Sequence, residues 1–289
     1  MERTTPLSSG TFAKGKIPHV PRPSRRAAGA QLWLLTIDGE RINARHQLAA
    51  DGSRGVAIVV VHGFNGGLAK PAVRAVASGL GRHAGVLLLD LRGHGRSSGR
   101  STLGDREIHD VEAAVAAARR LGYRQVVTCG WSMGASVVLR HAALAGGVDA
   151  VVAVSGPSAW YVTDTRPMRR VMWLVRTTAG RAVCRGLYGL RLGPVWTEPP
   201  ESPLEVVGRV APTPLLIVHG DRDHYFGVEH ARALAAAAGE PTELWIVRGM
   251  GHAEAGASPE LLDRIGGHVR TVLSRSDEPD LRAGERTTG

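Results

Sequence analysis

The sequence predicts an α/β protein built on a doubly wound, mostly parallel sheet, and three observations carry that prediction. Strand-length apolar runs such as 56–61 and 148–154, the latter broken only by Asp149, show no polar alternation, as strands covered on both faces by helices require. Helix-length segments separate them, and repeated strand–helix alternation implies right-handed crossovers. The loops rich in Gly, His, Asp and Ser follow the carboxyl ends of these strands, where ligands of such sheets lie.

Taken in order, residues 1–28 are rich in Pro, Ser, Arg and Gly without apolar periodicity, which predicts a disordered basic arm. Leu32 to Ile37 and Arg41 to His46 flank Asp38-Gly39, the signature of a hairpin. The buried run 56–61 ends in His62-Gly63-Phe64-Asn65-Gly66-Gly67, and a helix is expected over about 71–83. Val86 to Asp90 is the next buried strand, leading into Leu91-Arg92-Gly93-His94-Gly95-Arg96-Ser97. Apolar residues at 108, 111, 115 and 118 mark an amphipathic helix. A strand at 125–129, the turn Gly130-Trp131-Ser132-Met133-Gly134, and a helix over 135–145 follow. After the strand 148–154 the alternation fails for nearly fifty residues. The stretch 158–203 carries Trp160, Tyr161, Met168, Met172, Trp173, Tyr188 and Trp196, laced with arginine. A structureless loop of this length is unusual in a compact domain, so a helical lid or cap insertion is expected, with Leu174, Ala182 and Leu187 packing it on the body. The sheet resumes at 214–218, followed by a helix at 228–238, a strand at 242–247 and a last helix at 259–273. The core therefore comprises 29–157 and 204–274, with a flexible tail at 275–289.

Composition bounds the function. At 289 residues and 43% hydrophobic content, the chain has enough apolar material for one large core with an insertion. No apolar run approaches the roughly 18 residues of a membrane span, and the start does not read as a secretory signal. A cytoplasmic location is expected. Cys129 and Cys184 are too few for a disulfide scaffold and read as free thiols. The net charge of +10 resides mainly in the first 28 residues and in 157–203, which holds seven arginines against three acids. Without a basic stripe interleaved with aromatics, nucleic acid is not expected as a partner. Arg166, Arg169, Arg170, Arg176, Arg181 and Arg185 leave peripheral membrane contact as a minor reading. No cluster has metal-ligand spacing, and no Gly-x-Gly-x-x-Gly follows the first buried strand, so neither a metal nor another cofactor is expected.

The chemistry centres on the turn at 130–134. Small residues two before and two after a serine are what a tight strand-to-helix reversal needs. Such a turn lifts the Ser132 hydroxyl off the sheet and places it at a helix start, where unpaired N–H groups favour developing negative charge. A serine hydroxyl needs a nearby base, commonly imidazole oriented by a carboxylate. Asp223 or Asp221, both beyond the strand ending at 218, and His252, beyond the strand ending at 247, are the candidates.

Together these pieces resemble the α/β-hydrolase superfamily, in its serine hydrolase branch of monoacylglycerol lipases and esterases. The resemblance rests on His62-Gly63-Phe64, Asp90 to Ser97, Gly130-Trp-Ser-Met-Gly134, His219-Gly-Asp-Arg-Asp223 and Gly249-Met-Gly-His252, and covers about 32–273. It implies Ser132 as nucleophile, Asp223 as orienting acid and His252 as general base, with the backbone N–H groups of Phe64 and Met133 as oxyanion hole. The family pattern favours Asp223 over Asp221, whose alternative role is to form the turn. By the same resemblance His62 and His94 brace backbone around the pocket; Asp90 and Arg92 are expected to pair within their turn, and His219 and His224 to hydrogen-bond structurally. Trp131, Trp160, Tyr161 and Trp173 are the candidate pocket residues. The expected activity is hydrolysis of a small-molecule carboxylic ester or thioester through an acyl-enzyme. An acyltransferase or peptidase using the same groups, or an idle fold that binds a ligand, remains as the alternative. Aspartate at position 132 would instead mark a dehalogenase.

Overall fold

The computed structural model describes residues 29–276. The expected basic arm at 1–28 and the tail beyond 276 lie outside the described residues. Eight strands form one sheet: β1 (Ala30–Leu35), β2 (Arg41–Gln47), β3 (Val56–Val61), β4 (Gly85–Leu89), β5 (Gln125–Trp131), β6 (Ala150–Val154), β7 (Leu215–Gly220) and β8 (Thr242–Val247). Their spatial order is β1-β2-β4-β3-β5-β6-β7-β8. β1 and β2 are the antiparallel hairpin, β2 runs antiparallel to β4, and all pairs from β4 to β8 are parallel. The order reverses at β3, whose carboxyl end, with that of β5, opens onto the candidate site.

The unbroken apolar character of the central strands follows from their double cover. In β3, Ala57, Val59 and Val61 join one core cluster while Ile58 and Val60 join the other. The first cluster is closed by α2 (Glu107–Arg120), α3 (Met133–Leu144) and α7 (Val228–Ala237), the second by α1 (Pro71–Leu80) and α9 (Pro259–Ser276). Each fully buried Val, Leu or Ile contributes roughly 1.5–3 kcal/mol relative to exposure, so both faces drive the same register. β5 continues two residues past the expected end, to Trp131, and α3 starts at Met133, two residues earlier than expected. A single residue, Ser132, thus carries the whole reversal.

The segment after β6 is helical over only part of its length: α4 (Arg166–Arg176) and α5 (Thr178–Tyr188), joined at Thr177, whose hydroxyl accepts the Gly180 N–H at 3.0 Å. A short α6 (Pro203–Val206) and a 3-10 turn (Val207–Val210) return the chain to β7. Val175, Cys184, Leu190 and Leu192 anchor the two helices against Phe64 and Leu103. Leu187, expected to help pack this segment, is 77% exposed, and Ala182 is exposed as well. Ala182 lies on the side of α5 opposite Gly180 and Cys184, while Leu187 shares their stripe but falls in the last turn, where residues 185–189 are all exposed. Among the described residues no helix is long and apolar enough to cross a membrane.

Candidate active site

The turn after β5 is built from what cannot fit there. A Cβ on Gly130 would lie 2.1 Å from Gly134 O, and one on Gly134 would lie 2.2 Å from Val61 O. Between them Ser132 adopts φ 54° and ψ −119°, a conformation that side chains rarely take and that the surrounding packing enforces. Its N–H is held by Val154 O at 2.9 Å and its C=O accepts the Ala135 N–H at 2.9 Å. Strain of this sort gathers around one place. Of the five non-glycine residues with positive φ among the described residues, Leu103, Ser132, Tyr161 and Ala253 line a single cavity, and the hydroxyl of the fifth, Ser155, accepts the Ala253 N–H at 3.1 Å.

Into this cavity the loops after β5, β7 and β8 bring a hydrogen-bonded chain. The Ser132 hydroxyl lies 2.9 Å from His252 Nε2, and His252 Nδ1 lies 2.7 Å from Asp223 Oδ2. Asp223 Oδ1 accepts the N–H groups of Tyr225 (2.8 Å) and Phe226 (3.1 Å), so the carboxylate is fixed before it meets the imidazole. Burial pushes the Asp223 carboxyl up, but the His252 hydrogen bond and charge, with the two N–H groups, outweigh it and leave it below its ordinary value. An ionised acceptor at Nδ1 selects the tautomer in which Nε2 is free to accept the serine proton. The Tyr225 ring lies 4.4 Å from the His252 ring and restricts its swing. Asp221, the alternative acid, is exposed and accepts the Gly249 N–H at 2.6 Å, closing a turn.

The N–H groups of Phe64 and Met133 both border the cavity and have no hydrogen-bond partner among the described residues. The peptides around Phe64 are clamped from both sides. The Gly63 N–H donates to Glu254 Oε1 at 2.8 Å, Gly63 O accepts from His62 Nδ1 at 2.7 Å, and Phe64 O faces His94 Nε2 at 2.8 Å. His62 Nε2 accepts the Leu91 N–H at 3.1 Å, so its proton resides on Nδ1. Burial, then the neighbouring His94, lowers its pKa to about 3, which keeps it neutral.

Several expected roles change. Asp90 and Arg92 do not pair with each other: Asp90 accepts from Asn43 Nδ2, Leu68 N and Arg96 N, while Arg92 bridges Asp110 and Asp38. Both are buried because the turn after β4 folds back on the sheet. His219 does hydrogen-bond structurally, donating from Nε2 to Phe226 O at 3.0 Å. His224 makes no hydrogen bond among the described residues and instead borders the cavity against Tyr225, ring centroids 4.6 Å apart. Trp131 is not a pocket residue: it is fully buried in the core beneath α1 and α9, because the residue before the serine is still in the strand and faces the sheet interior. Trp173 is 49% exposed on the outer face of α4. Trp160 and Tyr161 do line the cavity, packed edge to face on Trp196 at 5.2 and 5.6 Å.

The cavity measures about 920 Å³. Its insertion-side wall is apolar, with Val162, Met168, Val171, Met172 and Phe226. Tyr225, Phe226 and Glu254 are the contributors that the sequence reading missed. The aromatic pair directly after Asp223 was a usable signal, whereas nothing in the sequence joins Glu254 to Gly63 across 191 positions. Among the described residues no group of three or more His, Cys, Asp or Glu is arranged to hold a metal.

The sequence model for the alpha/beta hydrolase fold matches residues 56–182. No curated protein matches the sequence. Among solved structures, the Pyrococcus furiosus esterase Pf2001 aligns at TM-score 0.66 and 21% identity, over 90% of this chain and 95% of that one. The α/β hydrolase GrgF from Penicillium sp. sh18 aligns at TM-score 0.61 and 22% identity, over 86% and 96%. Est1E from Butyrivibrio proteoclasticus, solved with ferulic acid bound, aligns at TM-score 0.61 and 19% identity, over 84% and 99%. Identities this low speak to the fold alone, and the family model over residues 56–182 and the strand order agree with them: the chain has the alpha/beta hydrolase fold.

Proposed function

We propose that the chain is a serine hydrolase that cleaves small-molecule carboxylic esters or thioesters through an acyl-enzyme. One observation carries the reading: Ser132, His252 and Asp223 form a continuous hydrogen-bonded chain whose serine end opens into a cavity of about 920 Å³, also bordered by Phe64 and Met133, whose N–H groups have no partner among the described residues. The esterases among the structures of the same fold favour esters as the substrate class.

In this mechanism the Ser132 hydroxyl attacks the ester carbonyl as its proton passes to His252 Nε2, and the carbonyl oxygen becomes an anion. Asp223 holds Nδ1–H and stabilises the imidazolium without taking the proton. The N–H groups of Phe64 and Met133 donate to the oxyanion; removal of one such donor typically costs about 3 kcal/mol of transition-state stabilisation. As the C–O bond breaks, His252 returns its proton to the departing alcohol oxygen. Water then enters, gives its proton to His252, and attacks the acyl-serine; collapse releases the acid and restores the serine hydroxyl. The segment 158–203 serves as a lid whose apolar inner surface receives the acyl group.

The test is labelling with a fluorophosphonate, which reacts with activated serines, followed by turnover of a graded series of p-nitrophenyl esters. Wild-type protein is expected to be labelled at Ser132 and to turn over esters, and Ser132→Ala to do neither. Unlabelled, folded wild-type protein would overturn the proposal in favour of an idle ligand-binding fold.

A further inference from the structure

The second residue after His252 is a carboxylate that the mechanism above does not use. Glu254 lies in α8 (Ala253–Gly256), lines the cavity, and sends Oε1 to the Gly63 N–H at 2.8 Å. No other residue donates to its carboxyl, and no Lys, Arg or His pairs with it, among the described residues. Burial pushes its pKa above the ordinary carboxylate value, partly offset by the Gly63 N–H, its own backbone N–H and the charge on His252. A carboxyl at the cavity wall whose donors are the Gly63 N–H and its own backbone N–H keeps acceptor directions open, since its two oxygens offer about four. Unpaired buried acids in clefts are for that reason candidates for a ligand-facing role.

Its position says what it faces. The point that a Cβ would occupy on Gly63 lies 3.1 Å from Ser132 Cβ and 3.6 Å from Glu254 Oε2, so Oε2 is no more than about 7 Å from Ser132 Cβ, on the same side of the cavity as Gly63. The cavity has two chemically different walls. The insertion supplies apolar side chains, while the loop after β3, the start of α1 and α8 supply Asn65, Lys70 and Glu254. His252 Nε2 delivers a proton to the leaving oxygen, and Glu254 follows His252 by two residues, on the polar wall.

We propose that Glu254 Oε2 is the acceptor of a leaving-group subsite, taking a hydrogen bond from a hydroxyl or ammonium group carried on the alcohol portion of the ester. The subsite rests on the serine hydrolase reading and deepens it from any ester to esters of donor-bearing alcohols. A substrate donor supplies the partner that the fold withholds, and a hydrogen bond to a charged acceptor is strong enough to discriminate by about tenfold or more.

The experiment compares kcat/KM for butanoate esters in two size-matched pairs: hydroxyethyl against propyl, and dimethylaminoethyl against 3-methylbutyl. Wild-type protein is expected to prefer the hydroxyethyl or the dimethylaminoethyl ester over its apolar match by about tenfold or more. Which of the two leads identifies a neutral or a cationic donor. Glu254→Gln retains an oxygen for the Gly63 N–H but places a donor where Oε2 accepted, and is expected to bring the ratio to about one. Wild-type protein that labels with fluorophosphonate yet shows no preference, or a preference that survives in Glu254→Gln, overturns the subsite while leaving the serine hydrolase reading intact. Wild-type protein that does not label sinks that reading itself. If Glu254→Gln does not fold, the wild-type ratio alone still decides.

Discussion

Gly134→Ala and Gly186→Ala make the same chemical change, one methyl group added to a helical glycine, and the structure gives them opposite signs. At Gly186, in α5, a Cβ meets nothing within 4 Å, so the substitution gains helix propensity and loses unfolded-state entropy, for a stabilisation of about 0.5–1 kcal/mol. At Gly134 the same Cβ falls 2.2 Å from Val61 O and 2.7 Å from His62 O, both backbone atoms of the strand and loop that carry the candidate oxyanion site. Restoring ordinary contact requires a shift of about 1 Å between α3 and β3, and neither can give cheaply because both are packed into the core on their remaining sides. Overpacking of a rigid site costs about 3 kcal/mol or more, which overrides the propensity gain. The same shift separates the Met133 and Phe64 N–H groups from the Ser132 hydroxyl, and misplacement on that scale costs about a hundredfold in rate. Urea unfolding midpoints and the rate of fluorophosphonate labelling measure the two effects. If Gly134→Ala matched the wild type in both, the claim that close backbone approach dictates the turn would be wrong.

Two further outcomes follow from the geometry. Asp223→Asn keeps an oxygen for Tyr225 and Phe226 but presents an amide to His252 Nδ1, selecting the wrong tautomer, so ester turnover should fall by about 10⁴-fold; Asp221→Asn, which touches only the Gly249 turn, should leave labelling of Ser132 unchanged, and the reverse ranking would reassign the acid. Burial lowers His46 to about 4 and His62 to about 3, so both stay neutral in the fold while the unfolded chain protonates near 6.5. Their stabilising contribution is complete above pH 6.5 and is lost as pH falls toward those values, by about 2 kcal/mol per histidine at pH 5. Denaturant midpoints that do not drop between neutral pH and pH 5 would contradict this, and His46→Gln should flatten the dependence.

The strand 56–61 was readable because both of its faces are buried, which forces an unbroken apolar run. The serine turn was readable because sterics admit only small residues at 130 and 134, and the acid and base because each follows a strand end that the topology gathers at one edge. Trp131 and Trp173 misled because an aromatic side chain reads the same in sequence whether it points into a core, a cavity or solvent. His224 and the pairing of Asp90 with Arg92 failed for a related reason. Proximity in sequence suggested local bonds, whereas Arg92 found Asp38 and Asp110 across the fold.

The sequence by itself determined the layered α/β architecture, the sharp turn at Ser132 and the order of the groups that follow it, since these depend on local sterics and on periodicity. Only the tertiary structure decided that Asp223 rather than Asp221 meets His252, that Trp160 and Tyr161 but not Trp173 face the cavity, and that Glu254 reaches Gly63 beside the serine. The physical reason is one of range. Backbone conformation is written in neighbouring residues, but the hydrogen-bond partner of a side chain is set by which strands lie adjacent, and that is a property of the whole sheet.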